Sequence, residues 1–193
     1  MHRLFYIMGK SASGKDSLYG KLLGVLPLKP YVPYTTRPMR ENEQNGREYY
    51  FMTADELAML RQTGHVVEER CYHTVQGDWY YFSADSHIDL NTYDYLGIGT
   101  LESYEKIRAF FGAAHVVPLY IEVDDHTRLL RAIAREAAQE KPDYAELCRR
   151  FLADTSDFSE DHLAQAGISR RFCNDDLERC LNELCGYIQE ERG

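Results

Sequence analysis

The chain has 193 residues, with 22 Lys and Arg against 31 Asp and Glu, which gives a formal net charge of −9. This length supports one well-buried core with inserted lobes, and it is short for two independent domains. The negative charge argues against sequence-independent DNA or RNA binding, whose affinity comes from neutralising phosphates. Any phosphorylated ligand must therefore meet local basic clusters.

The cysteines and the hydropathy pattern predict a soluble, cytoplasmic protein that does not bind membranes. The five cysteines form no Cys-x-x-Cys pair, and the seven histidines show no metal-ligand spacing. We therefore expect reduced thiols that are buried or half-buried. The N-terminal apolar run is too short for a signal peptide, and no later stretch approaches the roughly 18 apolar residues of a membrane span.

The first predicted elements are a strand, a loop and a helix. RLFYIM (3–8) is apolar and stops at Gly9, and four leucines repeat at helical spacing over residues 16–26. Between these segments, Gly9 and Gly14-Lys15 have the spacing of a phosphate-binding loop. A helix N-terminus favours a bound anion through its free N–H groups and its dipole. The context predicts a nucleotide site, and the alternative is a chance strand-to-helix turn.

The residue after Lys15 departs from the usual phosphate loop. A Ser or Thr normally holds Mg²⁺ at this position, and the chain has Asp16. Ser17 is not an easy substitute, because one more residue along a helix turns the side chain by about 100°. Asp16 could simply be an acid that the helix dipole favours in a first turn. Its register nevertheless predicts a carboxylate close to Mg²⁺ and phosphate.

Residues 33–86 change to an alternation of aromatic and polar residues. REYYFM, HVVEERCY and GDWYYFS predict strands, and ADELAMLRQTG between them predicts a helix. We expect an inserted antiparallel lobe here. Arg37 and Arg40 bracket a proline within it, and their guanidinium forks suit a phosphate group. A solvated basic turn is the alternative.

The remaining elements alternate between strands and helices. YLGIGT (95–100) and HVVPLYIEV (115–123) are apolar, and a helical pattern follows each. This alternation predicts a parallel sheet with right-handed crossovers. A charged helical stretch is interrupted at Lys141-Pro142, which suggests a hinged flap. RRFC predicts a last strand, and Asn174 is the predicted cap of the helix that follows.

The order of motifs resembles that of the guanylate kinase family along nearly the whole chain. The motifs are the phosphate loop, TTRPMR, NGREYYF, VVEE, WYYFS and NDDLERCLNEL. The resemblance implies one α/β domain, 1–193, with a P-loop kinase core whose parallel sheet is flanked by helices, about residues 1–32, 87–125 and 165–193. It also implies an inserted mixed β lobe that binds a nucleoside monophosphate, about 33–86, and a helical lid, about 126–164. The implied reaction converts ATP and GMP to ADP and GDP with Mg²⁺.

The same resemblance implies roles for individual residues. The ATP phosphates are expected at Gly9, Ser11, Ser13, Gly14, Lys15, Asp16 and Ser17, with Asn174 on the base side and Asp16 as the Mg²⁺ ligand. Charge on the transferring phosphate is expected to meet Lys15, Arg131, Arg135 and Arg150. GMP is expected at Thr36, Arg37, Arg40, Tyr49, Glu68, Tyr81 and Ser83.

Two of these assignments carry explicit alternatives. Glu68 matches the acid that reads the guanine N1–H and exocyclic amine, and Glu69 takes its place if the register shifts by one residue. Arg131 and Arg135 match lid arginines and lie on one helix face. A surface helix with salt bridges remains the alternative for Arg128 and Arg149.

Three features depart from the family pattern. Asp16 replaces a hydroxyl, and Gly97, Gly99 and Thr100 stand where an Asp-x-Asp pair is expected. The segment between Glu68 and Tyr81 is longer than usual, and Phe82 replaces a glycine. We expect Asp16 to restore the acid that the strand lacks. The opposite hypothesis is that Asp16 repels the phosphates, which can cost several kcal/mol at about 4 Å.

Two rival functions remain open. A related kinase with a different small acceptor would keep the arginines and reshape the base pocket. A guanylate-kinase-like binding module without catalysis would show a degraded ATP loop, whereas Gly9, Gly14, Lys15 and the lid arginines are present. The sequence therefore favours an enzyme whose partners are the nucleotides ATP and GMP.

Overall fold

A computed structural model describes residues 2–74 and 77–192 of the chain. Its strands are β1 (Leu4–Met8), β2 (Lys29–Pro30), β3 (Tyr34–Thr35), β4 (Tyr50–Phe51), β5 (Val66–Thr74), β6 (Gly77–Ala84), β7 (Tyr95–Gly99), β8 (Val116–Glu122) and β9 (Arg171–Cys173). Its helices are α1 (Lys15–Val25), α2 (Ala54–Thr63), α3 (Leu101–Phe111), α4 (Asp125–Ala137), α5 (Tyr144–Asp157), α6 (Glu160–Gln165) and α7 (Leu177–Arg192).

The larger sheet has five parallel strands in the order β2-β7-β1-β8-β9. Every residue of β1 is buried, as expected for a central parallel strand covered on both faces. Phe5 and Ile7 pack into a cluster with leucines of α1 and α7. Leu4 and Tyr6 pack into a second cluster with residues of α3. This arrangement confirms the predicted α/β class, with a parallel sheet flanked by helices.

The smaller sheet has the order β4-β3-β6-β5. β5 and β6 are antiparallel, as are β3 and β6, but β3 and β4 are parallel. The antiparallel lobe expected from the aromatic pattern is therefore wrong in one pair, and the mixed sheet implied by the family resemblance is present. The physical reason is the long loop 36–49 between β3 and β4, which brings the chain back so that both strands run in the same direction.

The predicted interruption of the charged helical stretch is confirmed. α4 ends at Ala137 and α5 begins at Tyr144, so Pro142 lies between two helices. Glu136 is buried, and its carboxylate accepts a hydrogen bond from the Asp143 backbone N–H at 2.7 Å. This contact fixes the connection between the helices.

The predicted cap of the last helix is wrong. α7 begins at Leu177, and Asp176 Oδ1 accepts the hydrogen bond from Arg179 N at 2.8 Å. Asn174 follows β9 directly and is buried, with its side-chain Nδ2 donating to the Ser13 carbonyl at 2.7 Å. The amide therefore serves a tertiary contact instead of the nearest helix end.

The expected burial of the thiols holds for only part of the set. Cys180 is buried and Cys185 is partly buried, whereas Cys71, Cys148 and Cys173 are exposed. The exposed thiols lie on solvent-facing sides of β5, α5 and β9, where packing does not cover them. Among the described residues, no helix has the length and apolar character needed to cross a membrane.

Candidate active site

The predicted phosphate loop joins β1 to α1. Ala12 and Gly14 both have left-handed backbones, with φ of 62° and 83°. The left-handed backbone at Gly14 disfavours any side chain there. A Cβ at this position would also lie 2.4 Å from Asn174 Nδ2. Lys15 is the first residue of α1. Left-handed residues just before a helix turn neighbouring backbone N–H groups toward one point. Such a point can bind an anion.

Asn174, which follows β9, and Arg131, on α4, support the phosphate loop. Asn174 Nδ2 donates to the Ser13 carbonyl at 2.7 Å. Arg131 Nη1 donates to the Asn174 carbonyl at 3.1 Å. Three residues that the sequence assigned to nucleotide binding are therefore linked in a chain of direct contacts.

Ser11 is held by one buried and one partly buried side chain that sequence reasoning did not assign to the site. Arg128 Nη1 donates to the Ser11 carbonyl at 3.0 Å, and Asp154 Oδ2 accepts from the Ser11 N–H at 2.7 Å. We call Arg128 and Asp154 the Ser11 clamp. The two residues also approach each other at 3.4 Å, and the guanidinium lies 4.4 Å from the Phe151 ring centre.

The surface interpretation of Arg128 is therefore wrong. Its side chain is 1% exposed and also pairs with Asp125 at 2.8 Å. Arg149 does fit that interpretation, with 66% exposure and a pair to Glu146 at 2.7 Å. The signal that could have found Arg128 is its spacing, since residues 128, 131 and 135 recur on one helix face.

The two remaining predicted arginines lie beside the clamp. Arg135 and Arg150 line a small cavity of about 10 Å³ next to Ser11. Arg135 is exposed. Arg150 lies 3.4 Å from Glu146 and 3.9 Å from the buried Glu136. Its guanidinium is therefore placed near the phosphate loop by acids of α4 and α5.

Tyr6 occupies the space where acids were expected on β7. Tyr6 pairs in register with Gly97, and a Cβ at Gly97 would lie 2.6 Å from the Tyr6 ring. A Cβ at Gly99 would lie 2.0 Å from the Tyr6 hydroxyl oxygen. Burial raises the pKa of Tyr6, so the group stays an uncharged phenol. The missing acids are thus explained by a residue of the neighbouring strand. Asp16, the acid expected to compensate, is exposed in the first turn of α1.

A cavity of about 510 Å³ lies between the two sheets. Tyr6, Tyr31 and Gly99 line it from the core, and Glu68, Ser83, Tyr49 and Tyr81 line it from the smaller sheet. This volume is typical of a small-molecule site. The structure therefore brings four of the residues predicted for the acceptor, Tyr49, Glu68, Tyr81 and Ser83, onto the walls of one cavity.

Glu68 is the buried acid of this cavity. It is 6% exposed, and its Oε1 accepts a hydrogen bond from Ser83 Oγ at 3.1 Å. Its Oε2 has no hydrogen-bond partner among the described residues, although Arg70 Nε lies 3.5 Å away. Glu69 instead pairs with Arg61 at 2.8 Å on the other face of β5. An unpaired buried oxygen is costly, and a ligand N–H would remove the cost.

Arg37 contacts the cavity through Tyr49 and Tyr81, two of the residues that line it. Its Nε donates to the Tyr81 hydroxyl at 3.2 Å, and the guanidinium lies 5.6 Å from the Tyr49 ring centre. Its two terminal nitrogens both donate to Glu43, at 2.9 and 2.7 Å. This bidentate contact lowers the pKa of Glu43 to about 2. Sequence reasoning missed Glu43, which no local pattern distinguishes from other loop acids.

Thr36 contributes through its side-chain hydroxyl, and Arg40 contributes through its backbone N–H. Thr36 Oγ1 accepts from the Tyr80 N–H at 2.9 Å, which ties the segment after β3 to β6. Arg40 N donates to Glu43 at 2.8 Å, while the Arg40 side chain is exposed. Of the predicted phosphate-binding pair Arg37 and Arg40, only Arg37 is buried.

Comparison with known proteins agrees with this architecture. A family model described as Guanylate kinase matches residues 1–91. A guanylate kinase of Ralstonia nicotianae is 30% identical over 193 residues, covering 98% of this chain and 81% of that protein. One from Porphyromonas gingivalis is 27% identical over 197 residues, covering 95% of each chain.

A solved structure supports the fold. The crystal structure of guanylate kinase from Anaplasma phagocytophilum matches with a TM-score of 0.67 at 17% identity, covering 98% of this chain and 86% of that chain. Together with the relative that is 30% identical over nearly the full length, these findings establish that the chain belongs to the guanylate kinase family and is a nucleotide kinase.

Proposed function

We propose that this kinase transfers the γ-phosphoryl group of ATP to GMP or dGMP. The observation that carries the choice of guanine is Glu68 Oε2, a buried carboxylate oxygen on the cavity wall that has no hydrogen-bond partner among the described residues. Guanine offers its N1–H and exocyclic amine side by side, and a carboxylate accepts both. Adenine lacks this donor pair.

The acceptor phosphate would lie beside Arg37. Tyr49 and Tyr81 line the cavity, and Tyr81 also accepts a hydrogen bond from Arg37. Base and phosphate sites are thus connected through one surface. Because Tyr81, the Pro38 carbonyl and Glu43 together accept hydrogen bonds from all three nitrogens of Arg37, a phosphate bound by Arg37 must displace the Glu43 carboxylate.

Phosphoryl transfer needs positioning and cationic charge more than covalent help. We assign ATP phosphate binding to the loop from Gly9 to Ser17, and charge neutralisation to Lys15, Arg131, Arg135 and Arg150. Residues 33–86 form the acceptor lobe in this assignment, and residues 126–164 form a lid that excludes water on closing. The predicted cytoplasmic location remains a prediction.

Mg²⁺ fits the residues present. This ion keeps several waters and is usually held by one or two carboxylates together with substrate phosphates. Gly97 and Gly99 supply no side-chain oxygen, whereas Asp16 supplies an exposed carboxylate beside the phosphate loop. When bound there with ATP, Mg²⁺ would neutralise charge on the phosphate oxygens. We therefore assign Asp16 as its protein ligand.

One observation favours a second candidate, a kinase for a different small acceptor. Arg70 lies 3.5 Å from Glu68 Oε2 and lines the same cavity. A cation at this distance competes with guanine for the carboxylate. A substrate that carries hydrogen-bond acceptors in place of the guanine N–H groups would bind Arg70 instead of Glu68.

The test is an acceptor panel combined with a neighbouring pair of variants. ADP release with Mg-ATP is measured for GMP, dGMP, AMP, UMP and CMP. We expect turnover with the guanine nucleotides alone, and a rise of at least about tenfold in the KM for GMP in Glu68→Gln, since one hydrogen bond to a charged group contributes about 1.5–3 kcal/mol. Glu69→Gln is the matched control and should behave as wild type.

Other results would redirect the assignment. An equal rate with AMP would contradict guanine recognition by Glu68. ATP binding without turnover of any acceptor in the panel would favour the second candidate or a binding module. Loss of ATP binding itself would contradict a functional phosphate loop.

A further inference from the structure

The β5–β6 ribbon, meaning the paired residues 66–74 and 77–84, carries a cluster of potential metal ligands. Cys71 and His73 are two residues apart on β5, so their side chains lie on the same face. Asp78 of β6 pairs directly with His73 across the ribbon. Because one ligand is on the other strand, sequence spacing alone does not predict the cluster.

The three side chains are close enough to share one ion. One ligand atom from each of them, a thiol sulfur, an imidazole nitrogen and a carboxylate oxygen, lies within 4.8 Å of the others. Ligand atoms around a tetrahedral zinc ion lie about 3.3–3.8 Å apart, given bond lengths of about 2.0–2.3 Å. His73 Nδ1 and Asp78 Oδ1 lie 2.7 Å apart in a hydrogen bond, which an ion bound to both atoms would replace. The side chain of His73 is 83% exposed, so it has room for the small rotation that separates the two atoms.

The cluster is separate from the cavity of the proposed reaction. The ribbon alternates its faces, and Arg70, Tyr72, Trp79 and Tyr81 line the cavity from the opposite side. Cys71, His73 and Asp78 are all exposed. An ion bound there would connect the two strands without touching the acceptor.

We propose that Cys71, His73 and Asp78 bind a divalent cation of the zinc class, with water completing the coordination. Thiolate and imidazole ligands select zinc and similar transition metals, whereas Mg²⁺ prefers oxygen ligands. The site is therefore chemically distinct from the Mg²⁺ site assigned to Asp16. It does not depend on the identity of the acceptor.

Cobalt titration tests the proposal directly. The reduced, chelator-treated full-length protein is titrated with Co²⁺ at neutral pH, and the near-ultraviolet thiolate-to-cobalt charge-transfer band is followed. We expect the band to saturate at one equivalent, to disappear when Zn²⁺ is added, and to persist when excess Mg²⁺ is added. Zn²⁺ should also raise the Tm of the wild-type protein, because it binds only the paired strands.

Matched cysteine variants identify the thiol. Cys148→Ser removes another exposed thiol, on α5, and should keep the band. Cys71→Ser should abolish it, and His73→Asn should weaken Co²⁺ binding at least about tenfold. All three residues are exposed, so these variants are expected to fold. Absence of the band in the wild-type protein, or its survival in Cys71→Ser, would overturn the proposal.

Discussion

At the scale of single residues, the Tyr6 side chain leaves no room for other side chains at the end of β7. Its ring covers Gly97 and its hydroxyl oxygen lies over Gly99. A buried phenol adds no charge, whereas two aspartates there would add two negative charges beside the phosphate loop. The absence of acids at Gly97 and Gly99 and the presence of Asp16 therefore both change the charge near the phosphate loop.

The steric argument predicts the effect of one added methyl group. Gly99→Ala should lower the free energy of unfolding by about 1–3 kcal/mol, since the new Cβ would overlap the Tyr6 hydroxyl. Urea unfolding measures this difference. Gly20→Ala on α1 is the control, because nothing lies within 4 Å of its Cβ and Ala favours a helix interior.

The double variant Tyr6→Phe/Gly99→Ala should recover part of the lost stability, because it removes the oxygen that the methyl group meets. A Gly99→Ala protein as stable as Gly20→Ala would show that Tyr6 does not exclude side chains from β7.

Asp16→Ser tests whether the loop acid supports catalysis. We expect kcat/KM to fall by about tenfold or more and the Mg²⁺ dependence to shift to higher concentration, because the variant loses the only carboxylate that we assign to the ion. Steady-state rates over a Mg²⁺ series provide the measurement. Asp55→Asn alters an exposed acid in the first turn of α2 and serves as control. Unchanged Mg²⁺ dependence would refute compensation, and a faster Asp16→Ser enzyme would support phosphate repulsion.

At the scale of elements, the Ser11 clamp couples two helices to the phosphate loop. Arg128 comes from α4 and Asp154 from α5, and together they bind both backbone polar groups of Ser11. A shift of either helix would therefore move the loop. This connects α4 and α5, which belong to the proposed lid, to the loop that we propose binds the ATP phosphates.

Arg128→Met should lower stability by about 1–3 kcal/mol, because it leaves the Ser11 carbonyl and the partly buried Asp154 without their buried cation. It should also raise the KM for ATP several-fold while the acceptor KM stays unchanged, since Ser11 lies in the loop that we propose binds ATP. Urea unfolding and steady-state kinetics measure the two effects. Arg149→Met removes an exposed arginine of the same helix pair and should stay within about 0.5 kcal/mol of wild type. Reduced stability with an unchanged KM for ATP would limit Arg128 to packing.

The comparison of sequence and structure also belongs at this scale. α4 was predictable because one buried face imposes a helical repeat, and β8 was predictable because a strand buried on both faces is a short apolar run. The roles of Asn174, Arg128 and Glu43 were not, because each depends on a partner far along the chain or on a loop conformation. Spacing alone indicated the phosphate loop, whereas Glu68, Tyr81 and Ser83 could be named only from the family resemblance.

At the scale of the whole molecule, burial holds several weak acids in their neutral form. Burial raises the pKa of Tyr19, Tyr34 and Tyr120 to about 12 from an ordinary value of 10.0. It also raises the pKa of Cys180 to about 12 from 9.0. These groups lie in different parts of the core, so their titration reports on the integrity of the entire fold.

The sign of the pH dependence follows from these shifts. Between about pH 9 and 12 the unfolded chain releases protons that the folded protein retains, so the free energy of unfolding falls as pH rises. We expect urea midpoints to be nearly constant from pH 7 to about 9 and to decline up to about pH 12, with the tyrosinate absorbance of these buried phenols appearing only on unfolding. Tyr120→Phe should flatten the decline because it removes one titrating group that is buried in the native state, whereas Tyr72→Phe removes a residue that is 51% exposed and should leave it unchanged. An identical slope in Tyr120→Phe and wild type would show that burial of this phenol does not contribute to alkaline unfolding.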